Sequence, residues 1–411
     1  MIYYLTLEGR WMFSEYLEYW GRDLAGSEIQ ILHYEQLLSQ KCYAPGTYVF
    51  STRDEVAPAM GEFIDALAVE LSAWPGATIF NDPRRTLQRF DLHRELWARG
   101  RSGFRSLRAA EDLSGIRFPV FVRSESAHDG ALSPLLHSHA EIETWVGRAL
   151  ALGRSLPDLM VVEFCETADA AGWYRKYAAF CVGGRIVPRS MNYGRGWVLK
   201  FAGNDFSVAM AEEELEYVRS NPHEEELKEI FEIGRTDYGR IDYSIRDGRV
   251  QPWEINLNPT IGRGLRPSSR TIEPEVRATR EETKGAFYER FNAAWAAVAA
   301  ASPRALEGGR PVRQADETSA LPSAGVAPLE IRIAESVVKA ARAEVRRRWR
   351  TRKVIIQAGV DLVKPLMKTR ARPLFQKLYR LPGTLVRGNA GALFRMIGRF
   401  RMIGRRARTK G

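Results

Sequence analysis

The stretch GRIDYSIRDGRVQPWEINLNPTIG, residues 239–262, narrows most sharply what this chain can become. Two β-rich halves flank Asp247-Gly248, a pair that promotes a tight hairpin because both residues tolerate positive φ. Glu254 and Asn256 lie two apart and so share one face of the second strand. A two-residue turn sets Asp242 against Trp253 and on the opposite face, whereas a three-residue loop or a bulge brings it round to Glu254. We expect an odd-length loop or a bulge here. The three side chains then offer hard oxygen donors from one rigid platform, the donor set that suits Mg²⁺. A charged surface hairpin is the plainer alternative, but Trp253, Ile255 and Pro259 argue for a half-buried second strand.

The flanking sequence supplies the architecture. YYLTL (3–7), TYVFS (47–51) and ATIF (77–80) read as strands, alternating with helical spacing at 14–24 and from Pro58 to Ser72. Asp82 is expected to cap a further helix, with Pro83 at its first position and Gly100 at its end. This β-then-α order predicts a small α/β domain with a parallel sheet in the first hundred residues. From Phe118 onward FPVFVRSE, LMVVEFCET, YRKYAAFCVGGRIVPRS and WVLKF read as strands separated by turns, with antiparallel pairing. A helical acidic segment (211–234) precedes the hairpin. Residues 302–328 turn to Ala, Pro, Gly and Ser without periodicity, as a linker does. The expected domains are therefore 1–85, 86–300, a linker at 301–329 and a tail at 330–411.

Charge divides the chain in two. The tail holds 23 Lys+Arg against 4 Asp+Glu, a net of +19, and leaves the first 329 residues with 38 bases against 46 acids. A mildly acidic body suits an enzyme, while so basic a tail is drawn to phosphate on a membrane surface, a nucleic acid or a polymer. Ile333, Val337, Val338, Ala341, Val345 and Trp349 fall at helical spacing, and FRMIGR occurs twice in tandem at 394–405. A basic amphipathic helical tail is expected, with 331–365 packed on the body or a partner and 366–411 adhering peripherally to an anionic membrane surface; nucleic-acid recognition has no fold behind it. MIYYLTLEGRWMF meets an acid and a base before a signal-peptide core could form, and no uncharged apolar run is long enough to cross a bilayer. Cys42, Cys165 and Cys181 are too few and scattered for a disulfide frame, which points to a reducing, cytoplasmic setting, with membrane association at its inner face through the tail.

At the hairpin the chain resembles the ATP-grasp carboxylate-amine ligases, including the branch that adds glutamate to a ribosomal protein and the D-alanine ligases. The likeness covers residues 75–262, and its core is an Asp followed by acid-x-Asn-x-x-Pro, which those enzymes use to hold Mg²⁺ or Mn²⁺. It implies an α+β fold: two subdomains that grip ATP, preceded by a small Rossmann-like N-terminal domain. No GxxxxGK[ST] or GxGxxG competes with it.

The resemblance also assigns roles. Asp242, Glu254 and Asn256 match the metal ligands. Arg123 stands where the family usually has a nucleotide-side Lys, a change from a compact ammonium to a planar fork. SESAHDGALS (124–133) matches the lid over the phosphates, with Gly130 allowing close backbone approach. Glu163 matches the hinge that reads adenine, and Glu166 is a ribose candidate. Arg175 and Lys176 compete for the basic residue that reaches the phosphates, Lys200 is a third option, and Arg263 and Arg266 follow the hairpin where a substrate carboxylate or phosphate would be held. The implied reaction activates a small-molecule or peptide carboxylate as an acyl phosphate and joins it to an amine. Alternatives are phosphoryl transfer to a hydroxyl, and a weakly catalytic or non-catalytic scaffold whose tail does the binding. His128, His137 and His139 lack a third ligand at metal spacing and read as surface residues, and no Gly-x-Ser-x-Gly elbow supports a hydrolase.

Overall fold

Short apolar runs at the start of the chain build a four-stranded parallel sheet. Its elements are β1 (Ile2–Thr6), α1 (Met12–Tyr19), β2 (Ile29–His33), α2 (Tyr34–Leu37), β3 (Gly46–Phe50), α3 (Pro58–Ala73) and β4 (Ala77–Phe80), with strand order β2-β1-β3-β4. In this computed structural model the described residues are 1–37, 43–53, 56, 58–127, 130–199, 207–262 and 273–304, all within the unit Met1–Val337. Every residue of β1 and β3 is buried, as befits central parallel strands covered on both faces. Leu5, Tyr48 and Phe50 pack on Ile64, Leu67 and Leu71 of α3. Ile2, Tyr4 and Val49 point the other way, into a core shared with the rest of the molecule. The expected parallel α/β sheet is thus present, but its inner face has no core of its own.

Two expected helices differ in extent. α1 stops at Tyr19 instead of reaching Leu24, because the chain doubles back at Gly21, where a Cβ would come within 2.9 Å of the Tyr16 ring. The helix expected from Pro83 begins six residues later, as α4 (Arg89–Ala98). Asp82 caps a turn, accepting from the Arg84 amide at 3.1 Å, and the Leu87 amide is drawn to the Gly234 carbonyl at 3.0 Å. Tertiary pairing takes that amide before a helix can use it.

A three-stranded antiparallel sheet follows, ordered β5-β7-β6 from β5 (Ser106–Arg108), β6 (Val120–Ser124) and β7 (Leu159–Glu163). Its covering helix, α5 (His139–Ala151), is capped by Ser138 and packs Ile142 and Ala149 on Val120, Val122 and Val161. A second antiparallel sheet, β11-β10-β8-β9, contains β8 (Tyr174–Val182), β9 (Arg185–Gly194), β10 (Tyr238–Arg246) and β11 (Arg249–Asn256). Between β9 and β10 lie α6 (Val208–Ser220) and α7 (Glu224–Gly234), and α8 (Pro274–Ala301) closes the described fold. Trp197–Leu199 of the expected WVLKF strand are not β structure; Trp197 instead sets its ring against Phe121 and Phe164, trading a ladder for aromatic contact. Phe180 on β8 meets Phe287 and Phe291 of α8, while Tyr177 on the opposite face meets Tyr217 of α6. Among the described residues no helix is long and apolar enough to cross a membrane. The tail and all of the linker beyond residue 304 lie outside the described residues.

Candidate active site

Both edge strands of the second antiparallel sheet carry a proline followed by a bulged residue. On β11, Asp242 pairs with Glu254 and Tyr243 with Pro252, which leaves Trp253 without a ladder partner. On β9, Ala178 pairs with Ser190 and Ala179 with Pro188, which leaves Arg189. Proline has no amide hydrogen to give the ladder, so edges and bulges are where it fits. The hairpin itself is tight: Arg246 pairs with Arg249, and Asp247 and Gly248 take φ of 52° and 72°, both positive as a type I′ turn needs. Of the two ways to bring Asp242 onto the face of Glu254 and Asn256, the molecule uses the bulge.

The bulge is pinned from outside. His93 of α4 lies 2.9 Å from the Trp253 carbonyl through Nε2 and 2.7 Å from Ser106 Oγ through Nδ1. A carbonyl only accepts, so the proton sits on Nε2 and Nδ1 accepts from the serine. The Trp253 indole donates to Ser244 Oγ at 3.0 Å. Burial pushes the His93 imidazole down to about 3, against the pull of the Trp253 carbonyl. The unfolded chain therefore takes up a proton below about pH 6.5 that the folded chain refuses, so this residue makes stability fall with acid. Between pH 6 and 4 its share is about 2 kcal/mol, and a His93→Gln variant is expected to lose that slope, whatever its constant offset, in urea unfolding at several pH values. An unchanged slope would remove the neutral buried imidazole.

Four cations converge on the two carboxylates. Lys176 donates to Asp242 Oδ2 at 3.0 Å and Arg240 to Oδ1 at 2.8 Å, with Asp242 4% exposed. Glu254 receives Nη2 of Arg89 and, at 3.4 Å, Arg123. Burial, then the neighbouring Arg89, lowers the Arg123 guanidinium to about 10, so it stays charged at neutral pH. Asn256 Oδ1 accepts from the Asn258 amide at 3.0 Å. Three oxygen-bearing side chains and four basic ones thus share one sheet face and its border.

The alternation of β8 separates the two rival basic residues. Lys176 faces Asp242; Arg175 faces away, bound to Asp169 at 2.5 Å and Glu213 at 2.7 Å. Arg175 therefore does not join the cluster, because neighbours on a strand project to opposite faces. Glu163 is 1% exposed, and both its oxygens are taken by the side chains and amides of Arg105 and Arg117. Burial would raise its carboxyl, but those hydrogen bonds outweigh burial and hold it below the usual range. Its carboxylate is a clamp between the segments that carry Arg105 and Arg117. The stabilisation is present above about pH 4.5 and fades as pH falls through the lowered value; Glu163→Gln is expected to cost about 2 to 3 kcal/mol at pH 7 in chemical unfolding, and less at pH 3.

Glu166 is exposed, accepting from the Tyr174 hydroxyl at 3.1 Å and the Ala168 amide at 2.9 Å. Gly130 has φ of 86° and precedes Ala131, which pairs with Arg123, so residues 131–132 of the expected lid run back along β6; 128–129 lie outside the described residues. His139 lies 3.0 Å from the Leu113 carbonyl, and no group of three His, Cys, Asp or Glu is placed to hold a metal among the described residues. Arg263, Arg266, Lys200, His128 and Cys42 lie outside the described residues; Cys165 and Cys181 are buried free thiols.

Sequence reasoning passed over Arg240, Arg89 and His93. Arg240 had a readable signal, since it stands two before Asp242 on the same strand face. Arg89 and His93 had none: they reach the hairpin from a helix 165 and 160 residues away in the chain.

The sequence matches no protein-family model and no curated protein. Solved structures do resemble the fold. One is a D-alanine–D-alanine ligase from Bacillus anthracis complexed with ATP, at 11% identity and a TM-score of 0.40, covering 71% of this chain and 98% of that one. Another is a RimK-domain ATP-grasp protein from Sphaerobacter thermophilus, at 15% identity and 0.38, covering 70% and 98%. An L-amino acid ligase from Bacillus licheniformis follows at 10% identity and 0.33, covering 62% and 67%.

Proposed function

We propose that the face carrying Asp242, Glu254 and Asn256 is the active site of an ATP-dependent ligase that activates a carboxylate as an acyl phosphate and joins it to an amine. The observation that carries the reading is the Pro252-Trp253 bulge, which sets Asp242 directly opposite Glu254 with Lys176 and Arg240 on the same carboxylate. A merely solvated hairpin has no need of a buried, doubly paired aspartate.

The donor set fits a divalent cation: two carboxylates facing each other across a ladder and an amide oxygen two residues on, all hard oxygen. Asp242, Glu254 and Asn256 would hold Mg²⁺ or Mn²⁺, which supplies charge neutralisation for the phosphates of ATP. The chain's own work is electrostatic. Lys176 and Arg240 lie where a transferring phosphoryl group would need positive charge, and Arg123 and Arg89 bring two more guanidiniums from β6 and α4. Arg189, half-buried on β9, donates to the Ile261 carbonyl at 2.9 Å and so fixes the start of the segment that carries Arg263. In this reading Arg263 holds the substrate carboxylate.

The test is direct. Cell-extract metabolites incubated with the protein, ATP and Mg²⁺ should yield a product lighter by one water than two consumed metabolites together, with ADP and phosphate released, by mass spectrometry. ATP with Mg²⁺ should also raise the unfolding temperature by several degrees through ligand linkage. A scaffold that does not bind nucleotide would show neither.

A further inference from the structure

We propose that the four basic side chains act as internal counter-ions that exclude a lone metal ion from the site, so that metal enters only together with a polyphosphate. This rests on the nucleotide reading above and adds to it how the site is loaded. Glu254 is held by Arg89 and Arg123, whose side chains are only 6% and 11% exposed. Asp242 is held by Lys176 and Arg240. Four positive charges against two negative leave the cluster with a surplus of two, the wrong sign for a cation arriving alone.

Arg89 cannot swing aside to make room. Its Nη1 donates to the carbonyls of Ser124 and Ala127, each at 3.3 Å, and to that of Glu125, while Nη2 holds Glu254. Its Nε is already buried with no hydrogen-bond partner, so losing Glu254 as well would add to an existing deficit. A metal that takes Glu254 strands a buried guanidinium without its anion, the expensive way to break a buried pair. Phosphate oxygens remove the penalty by giving the released cations new partners. Metal and polyphosphate then bind with strong positive coupling, and by reciprocity each raises the affinity of the other equally.

The experiment is a Mn²⁺ titration of the full chain, followed by electron paramagnetic resonance, with and without a non-hydrolysable ATP analogue. Without the analogue no saturable site is expected below about 1 mM; with it the affinity rises by about 100-fold. Removing one counter-ion should create a site: Arg89→Met is expected to bind Mn²⁺ alone about tenfold more tightly than the parent. The converse variant keeps the idea testable if Arg89→Met does not fold. Glu254→Gln frees both arginines, and in EDTA it should bind the analogue several-fold more tightly than the parent.

A parent chain that binds Mn²⁺ alone at one submillimolar site overturns the proposal, as does an Arg89→Met variant no tighter than parent or a Glu254→Gln variant no tighter for the metal-free analogue. Those results leave nucleotide binding intact. Failure of the parent to bind the analogue with or without Mn²⁺ overturns the nucleotide reading, and this proposal with it.

Discussion

Asp242→Asn is expected to lower ATP-dependent turnover by about 10³, measured well below its unfolding midpoint, which should itself fall by several degrees because two partly buried cations lose their anion. The carboxylate is the point where three requirements meet: it faces Glu254 across the ladder, and it takes Lys176 at 3.0 Å and Arg240 at 2.8 Å. Asparagine keeps the shape and one acceptor oxygen but removes the charge. Metal affinity should fall, whereas the two unneutralised cations should hold phosphate at least as well as before. The signature is therefore a collapse of kcat with metal-free nucleotide affinity kept, read by release of ADP and by calorimetry with the ATP analogue in EDTA. Lys176→Met should lose about 10² in turnover, and Arg175→Met, on the far face with Asp169 and Glu213, should stay within about twofold. Equal losses for the two basic residues, or full activity for Asp242→Asn, would dismantle the site.

What could be read from the chain beforehand follows physical range. The parallel β1-β3 pair was visible because both strands are buried on both faces and so read as continuous apolar runs. The hairpin was visible because a turn pair and period-2 spacing are local signals, and a common face for Asp242 and Glu254 called for either an odd-length loop or a bulge. Pro252 was the residue that could have decided between bulge and longer loop, since its missing amide hydrogen disrupts the ladder next to Trp253.

The misses are non-local or weak in pattern. β2 reads IQILH, with only its first residue fully buried, which makes it an edge with little periodic contrast. The helix expected from Asp82-Pro83 carried sound capping chemistry, but Leu87 bonds the Gly234 carbonyl instead. α8 went unrecognised although its 28 residues are the longest helix described, because alanines dilute its apolar stripe. Arg89 and His93 share α4 yet serve the hairpin, and no local rule connects elements that far apart. The resemblance located three candidate ligands and two of the surrounding cations, Arg123 and Lys176, while Arg89 came from topology.

Trp295→Ala is expected to cost about 3 to 5 kcal/mol, the largest single loss of stability in the described fold. The side chain is fully buried on α8, with Phe13 at 5.4 Å, Tyr238 at 5.0 Å and Phe291 at 6.2 Å between ring centroids. Phe13 stacks on Tyr4 of β1, and Tyr238 opens β10 four residues before Asp242. One indole therefore joins the parallel sheet to the strand that carries the candidate metal ligand. Its N–H has no hydrogen-bond partner, so part of the packing gain is already offset by an unmade bond. Trp295→Phe removes that unpaired donor along with some volume, and should cost less than half as much as alanine. Because the inner face of the parallel sheet has no separate core, both variants should unfold in one transition over residues 1–304, followed by circular dichroism and by near-ultraviolet aromatic signals together. An alanine variant that loses less than about 1 kcal/mol, or that melts the parallel sheet apart from the β8–β11 sheet, would show that the two halves are held together by something other than this aromatic cluster.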